Sequence, residues 1–216
     1  TGAATAVAAE HLARPNSSIA TVFGSGNQAR AQIEALTHVL PIKEVRIIGR
    51  NQDRSKQCAM AITTQLGIRS EPWTDKAAAL VNSDVIVCCT PSKSALIEES
   101  WVQPGTFIAA VGADSPGKQE LPPSLLANNT VVADIMSQCI RVGDLQHPIS
   151  DGLMQETNVH AELGQLLTGD RIGRQTDEEI TIYDSTGTAL QDVAVGLIVY
   201  DVALKSDLGT AIHMGL

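Results

Sequence analysis

Ser18-Ile19-Ala20-Thr21-Val22-Phe23-Gly24-Ser25-Gly26-Asn27-Gln28-Ala29-Arg30 decides the fold. An apolar, β-branched run feeds directly into Gly24-x-Gly26-x-x-Ala29, after which apolar residues return at helical spacing (Ile33, Leu36, Val39, Leu40). The two glycines therefore stand at a strand-to-helix turn. That is the context of a dinucleotide-binding turn: Gly24 permits the tight bend, Gly26 lets backbone approach a pyrophosphate, and the small Ala29 lets the helix pack on the sheet while its first free N–H groups face the phosphates. A glycine turn taken alone serves structure as readily as it serves a nucleotide. The next strand, Glu44-Val45-Arg46-Ile47-Ile48-Gly49, adds weight, because it ends about 20 residues beyond the turn, where a ribose-reading residue belongs.

At that position the chain carries Gly49-Arg50-Asn51 rather than an acid. A guanidinium cannot accept a hydrogen bond from ribose hydroxyls, yet it can fork onto a 2′-phosphate and stack on adenine. The expected cofactor is NADP(H), with NAD(H) left open. The plainer alternative for Arg50 is a cap on a surface turn.

Outward from this point the chain alternates strand and helix. Residues 1–15 form an Ala-rich helix that Pro15 ends; strands are expected at 18–23, 44–49, 68–70, 84–89, 106–111 and 130–134, and helices at 27–39, 53–66 and 75–81. Asp84-Val85-Ile86-Val87-Cys88-Cys89 is apolar on both faces, as a buried parallel strand is. The fold class is α/β, a Rossmann-type doubly wound parallel sheet whose ligands bind beyond the carboxyl ends of the strands. The pattern loosens between Ser137 and Asp151, resumes as a helix over 159–167, and closes with an additional C-terminal strand, 179–183, and a helix over 190–205 that is apolar on much of its surface. That last helix and the first lack an evident partner, so this piece is expected to dimerise poorly or to leave an apolar face open on them.

Composition limits what such a chain does. Its 216 residues, 44% hydrophobic, suffice for one sizeable core, and a net charge of −9 argues against nucleic acid and anionic membrane surfaces as partners. Cys58, Cys88, Cys89 and Cys139 show no C-x-x-C spacing and read as reduced core thiols, which suits the cytoplasm. No stretch has a signal-peptide or membrane-spanning pattern. His11, His38, His147, His160 and His213 lack ligand spacing, so no metal site is expected; Trp73 and Trp101 read as packing residues, and Asp177-Glu178-Glu179 as a solvated approach to a strand.

Three loops that follow strands converge on the ligand crevice: Thr90-Pro91-Ser92, Gly112 to Leu121, and Asp184-Ser185-Thr186-Gly187. In the middle loop Asp114 and Lys118 stand four residues apart on a turn stiffened by Pro116 and Gly117. Spacing alone leaves two readings, an acid/base group with a companion cation or a solvated ion pair.

The segments Gly24–Arg30, Val111–Leu121, Asp177–Thr181 and Asp184–Asp192 together resemble the ornithine cyclodeaminase/mu-crystallin family, and the resemblance runs over essentially the whole chain. It implies an enzyme that uses NAD(P) to oxidise the α-amine of a small L-amino acid to an imine, of cyclodeaminase or alanine dehydrogenase type. The alternatives are an NADPH-dependent ketimine or cyclic imine reductase and a non-catalytic NADPH-binding protein; Asp114 and Lys118 count against the last. Residue by residue, the resemblance makes Asp114 the acid/base carboxylate and Thr186 a residue at the substrate edge of the nicotinamide. It makes Asn27, Gln28, Thr90, Val111, Lys118 and Ser185 cofactor contacts, beside Gly24 and Gly26 of the glycine turn and Arg50 and Asn51 at the ribose position. It also implies that residues 1–216 are the NAD(P)-binding domain of a two-domain protein. The family's preceding domain, with its substrate-binding Arg and Lys residues and the homodimer contact, would lie before Thr1, as would an Arg next to it, so this piece by itself is expected to be inactive.

Overall fold

β1 (Ile19–Phe23) is central because it is apolar on both sides, and all but its first residue are buried. The computed structural model describes residues 1–210 and 212. In chain order the elements are α1 (Gly2–Leu12), β1, α2 (Asn27–Thr37), β2 (Glu44–Ile48), α3 (Gln52–Leu66), β3 (Arg69–Trp73), α4 (Lys76–Leu80), β4 (Val85–Cys88) and β5 (Phe107–Ala110). They are followed by α5 (Pro123–Ala127), β6 (Thr130–Ala133), α6 (Met136–Val142), α7 (Gln146–Ser150), β7 (Ala161–Glu162), α8 (Leu163–Leu167), β8 (Thr181–Asp184) and α9 (Ala189–Lys205).

The strands form one sheet in the order β3-β2-β1-β4-β5-β8-β6-β7, with every pairing parallel. Alternate side chains of each buried strand go to opposite faces. Ala20, Val22, Val85 and Val87 join Leu12, Ile33, Leu36 and Ile62 on one face. Phe23, Ile86 and Cys88 join Leu80, Leu121 and Leu125 on the other. The strand order reverses direction between β1 and β4, whose ends meet at Phe23 and Cys88, so a crevice opens there beyond the carboxyl ends.

The additional C-terminal strand lies inside the sheet, where β8 pairs with both β5 and β6 and is buried along its whole length. Three expectations need correction. The stretch 137–151 is not loose but holds α6 and α7, whose junction is pinned where the buried Asp184 carboxylate accepts from the Asp144 and Leu145 N–H groups. The helix expected over 159–167 is split, because Ala161 and Glu162 pair with β6 and only then does α8 begin, closed by a Glu162–Gln165 capping box. Finally, α1 is not open: Ala8, Ala9 and Leu12 are fully covered against α2 and the sheet. α9 has no buried residue, and Leu190, Val193, Leu197, Ile198 and Tyr200 all face outward.

Candidate functional site

The glycine turn has the geometry a bound pyrophosphate needs. Gly24 adopts φ +128°, a conformation costly for side-chain-bearing residues, and a Cβ there would strike Cys89 Sγ. Gly26 is different: a Cβ added to it would meet open space, so nothing in the protein itself demands glycine there. Gly26 is also the N-cap of α2 and offers no side-chain cap, which leaves the first N–H groups of this 11-residue helix free toward the crevice. An open approach at Gly26 together with an uncapped helix start fits a dinucleotide's phosphates.

A cavity of about 690 Å³ lies over this turn. Gly24, Gly26, Asn27, Arg50, Asn51 and Thr90 all line it. Asn27 is held in place by the Arg30 guanidinium, which donates to its Oδ1 at 2.7 Å, and Asn51 caps α3 by accepting from the Arg54 N–H at 3.0 Å. Arg30 and Arg54 line the cavity too, while no carboxylate among the described residues does. Three cations and no acid make this end a site for a polyanion of small size. Cys89, expected in the core, stands just beyond β4, half-buried on the cavity wall; burial pushes its thiol well above the ordinary range.

A second cavity of about 270 Å³ adjoins the first across Cys89, Thr90 and Pro91. Gln28, Val111, Asp114, Lys118 and Thr186 line it, so the three converging loops do meet. Asp114 is more than half exposed, and its Oδ1 accepts from Lys118 Nζ at 2.6 Å. Thr186 is fixed by Asp134, which accepts from its backbone N–H at 2.9 Å. Ser185 is placed otherwise: its side chain is buried and donates to Asp134 at 3.0 Å, away from both cavities.

Behind this second cavity lies what sequence reasoning assigned no role. Glu120 is fully buried and accepts from the Thr90 N–H at 2.6 Å, the Thr90 hydroxyl at 2.8 Å and the Gly112 N–H at 2.8 Å. Its own N–H and that of Leu121 donate to buried Asp144. Burial, and then the neighbouring charge of Asp144, push Glu120 up to about 7. Burial likewise raises Asp144 to about 6 and holds Asp184 well above the usual carboxylate range. Glu120 follows Lys118 in sequence and could have been noticed as an acid beside an apolar Leu121. Asp144 carried no such signal, because its surroundings read as loop.

The histidines serve structure where they bond, as with His147 Nε2 on the Lys118 carbonyl and His160 Nε2 on that of Ile172; His213 lies outside the described residues. No group of metal-ligating side chains is found among the described residues. The four cysteines are free, Trp73 packs under the Arg46 guanidinium, and Trp101 packs on the core.

Comparison with known proteins places this geometry. The chain is 40% identical to an alanine dehydrogenase of Archaeoglobus fulgidus over 212 residues, 98% of this chain and 65% of that protein. It superposes on an archaeal alanine dehydrogenase dimer with bound NAD with a TM-score of 0.94 at 39% identity, covering 99% of this chain and 66% of that one. It superposes on the Delta(1)-pyrroline-2-carboxylate reductase of Thermococcus litoralis, in complex with NADH and L-proline, with a TM-score of 0.95 at 30% identity, covering 98% and 66%. The chain thus spans just under two thirds of the length of the relatives it matches. With residues 1–207 matching the model of the ornithine cyclodeaminase/mu-crystallin family, the chain belongs to that family.

Proposed function

We propose that this chain is the nicotinamide-cofactor domain of an oxidoreductase that interconverts the α-amine of a small L-amino acid and the corresponding imine. The observation that carries the reading is the adjoining pair of cavities: a cationic one over a glycine turn, and a smaller one where an Asp114–Lys118 pair faces Thr186. Gly24, Gly26, Asn27 and the start of α2 would hold the pyrophosphate, Arg50 and Asn51 the adenosine ribose, and Thr90, Val111 and Lys118 the nicotinamide half, where a bound dinucleotide supplies hydride transfer. Ser185 would act on that half through its backbone or through Asp134. Asp114 moves a proton to or from the substrate nitrogen at the carboxylate it turns to the cavity, and Lys118 anchors that carboxylate.

NADP(H) is the preferred cofactor in this reading. Arg50, Arg54 and Arg30 bring positive charge where a 2′-phosphate would sit, although the solved relatives named above hold NAD and NADH. The reductive direction is the second reading, favoured by the likeness to a pyrroline-2-carboxylate reductase and by that arginine cluster. The whole protein is proposed to be a homodimer, as the archaeal alanine dehydrogenase structure is a dimer, through the further domain that the family resemblance implies. Neither nucleic acid nor an anionic membrane surface is proposed as a partner, on the net charge of −9. Free thiols suit a reducing compartment, hence the cytoplasm.

The test is turnover by the full-length protein against a panel of L-amino acids with NADP⁺ and NAD⁺, and of cyclic and linear imines with NADPH and NADH. Absorbance of the reduced nicotinamide should change with at least one of them. Tight cofactor binding with no turnover on any panel member would leave a binding protein in its place.

A further inference from the structure

Two loops that line the smaller cavity are joined from beneath by a single side chain. One Glu120 oxygen accepts both the N–H and the hydroxyl of Thr90, just beyond β4, and the other accepts the N–H of Gly112, just beyond β5. The clamp is tight enough to dictate sequence around it, since a Cβ on Gly112 would collide with the Thr90 carbonyl and the Glu120 carboxylate. Along the outside the same loops run in register, with Gln119 N–H on Ser92 O at 2.9 Å and Leu96 N–H on Glu120 O at 2.8 Å.

The clamp extends inward through further carboxylates. Asp144 accepts the Glu120 and Leu121 N–H groups, Asp184 accepts those of Asp144 and Leu145, and Asp134 accepts those of Thr186 and Gly187. Gly143 is required beside this row because a Cβ there would press on Asp184. Each of the three converging loops thus hangs its backbone N–H groups on a carboxylate, and Glu120 alone holds two loops at once.

We propose that Glu120 is the positioning residue of the reactive wall, fixing Thr90 and the Gly112–Lys118 turn relative to one another and so setting where Asp114 faces the cofactor. The inference rests on the reading of that wall as the nicotinamide side. In its ionised form, reached above about pH 7 and the form in which both measurements below are made, this carboxylate is acceptor-only and meets three donors, so no other side chain fills the place. Glutamine keeps the reach but must turn its NH₂ against the Thr90 or the Gly112 N–H. Aspartate keeps the charge but is one methylene too short to hold both loops. The Thr90 hydroxyl is oriented by the same contact: its proton goes to Glu120 while its oxygen accepts the Ser92 N–H, so toward a ligand it presents a lone pair and not a donor.

Two measurements decide it, each with the unmutated protein, Glu120→Gln and Glu120→Asp. The first is amide hydrogen exchange by mass spectrometry on the full-length protein. Exchange of segments 90–92 and 112–118 should quicken about tenfold or more in both variants, with β2 and α3 unchanged. Unchanged exchange in those segments, or an equal rise across the whole chain, overturns the proposal. The second is turnover by the full-length protein. kcat should fall by about 10²-fold in both variants, since displacing a reacting group by an ångström costs that much, while 2′,5′-ADP, which probes the adenosine end alone, binds as before. A kcat within twofold of the parent would likewise overturn it. Should the unmutated full-length protein turn over no amino acid or imine, the functional reading fails, and the exchange result by itself decides whether Glu120 positions the wall.

Discussion

The two ends of the crevice use their charged residues in different ways. The end over the glycine turn is cationic and shallow in sequence: Gly24, Gly26, Arg30, Arg50 and Arg54 lie within 31 consecutive residues and reach the cavity directly. The other end is rich in buried carboxyl groups beneath its surface and assembled from far apart, with Thr90, Glu120, Asp144 and Asp184 brought together by β4, β5, β8 and the start of α7. One end recognises by charge that faces the ligand. The other holds its shape by buried carboxyl groups that face away from the ligand, while Gln28, Thr90, Val111, Asp114, Lys118 and Thr186 line the cavity itself.

The sharpest way to separate the two ends is Asp114→Asn. It preserves size and much of the hydrogen bonding while removing proton transfer, so kcat of the full-length enzyme should fall by about 10²–10⁴ with NADPH affinity nearly unchanged. Paired turnover and cofactor titration check this; turnover within a few-fold of the parent would make Asp114 a loop residue.

The buried acids should reveal themselves in the pH dependence of stability. Between the ordinary glutamate range and about 7, folded Glu120 keeps a proton that the unfolded chain releases. Stability conferred by that group is therefore present at low pH and lost as pH rises through this window, by on the order of 3 kcal/mol. Asp144 acts with the same sign up to about 6. Urea midpoints at pH 5 and pH 8 should show the chain more stable at the lower value, and Glu120→Gln should flatten the difference. A midpoint that climbs steadily toward pH 8 in the parent would contradict the raised values.

At the cationic end the effect is smaller and purely one of recognition. NADPH should bind more tightly than NADH, and Arg50→Asp should move the ratio by about one to two decades, because a charge-assisted contact is worth about 1.5–3 kcal/mol. Equal affinities in the unmutated protein, read by fluorescence titration, would remove Arg50 from the site.

Gly26→Ala gives the smallest effect and the cleanest. Nothing lies within 4 Å of the added Cβ and the backbone there is extended, so the melting temperature should stay put. Cofactor affinity should nonetheless drop by about tenfold, the value of a charge-assisted hydrogen bond weakened by the methyl group. Loss of stability without loss of affinity would mean that Gly26 serves the fold.

The same division governs what could be read in advance. Glycine spacing, β-branched runs and helical periodicity are local, so β1, the turn, α2, β2 and Arg50 were legible from their own neighbours. A position such as Asp144 was not, because a buried carboxylate between two short helices has the same local signature as an exposed loop. Nor was the place of β8, since parallel pairing is formed between strands distant in sequence and nothing in 181–184 names its partners.

α1 and α9 make the point with two helices of like character. Both are predominantly apolar, and composition alone determined that each would be a helix in search of cover. Tertiary structure decided the rest: the small residues of α1 let it approach α2 closely and disappear into the core, while α9 stands beyond the last strand with its Leu, Val and Ile residues facing outward. Sequence thus determined the α/β alternation, the glycine turn and the arginines of the larger cavity, because these depend on residues a few positions apart. Only the folded chain decided which acids lie beneath the reactive wall and which loops they join, because burial and hydrogen bonding across a sheet are properties of neighbours that the sequence keeps 24 to 40 residues apart.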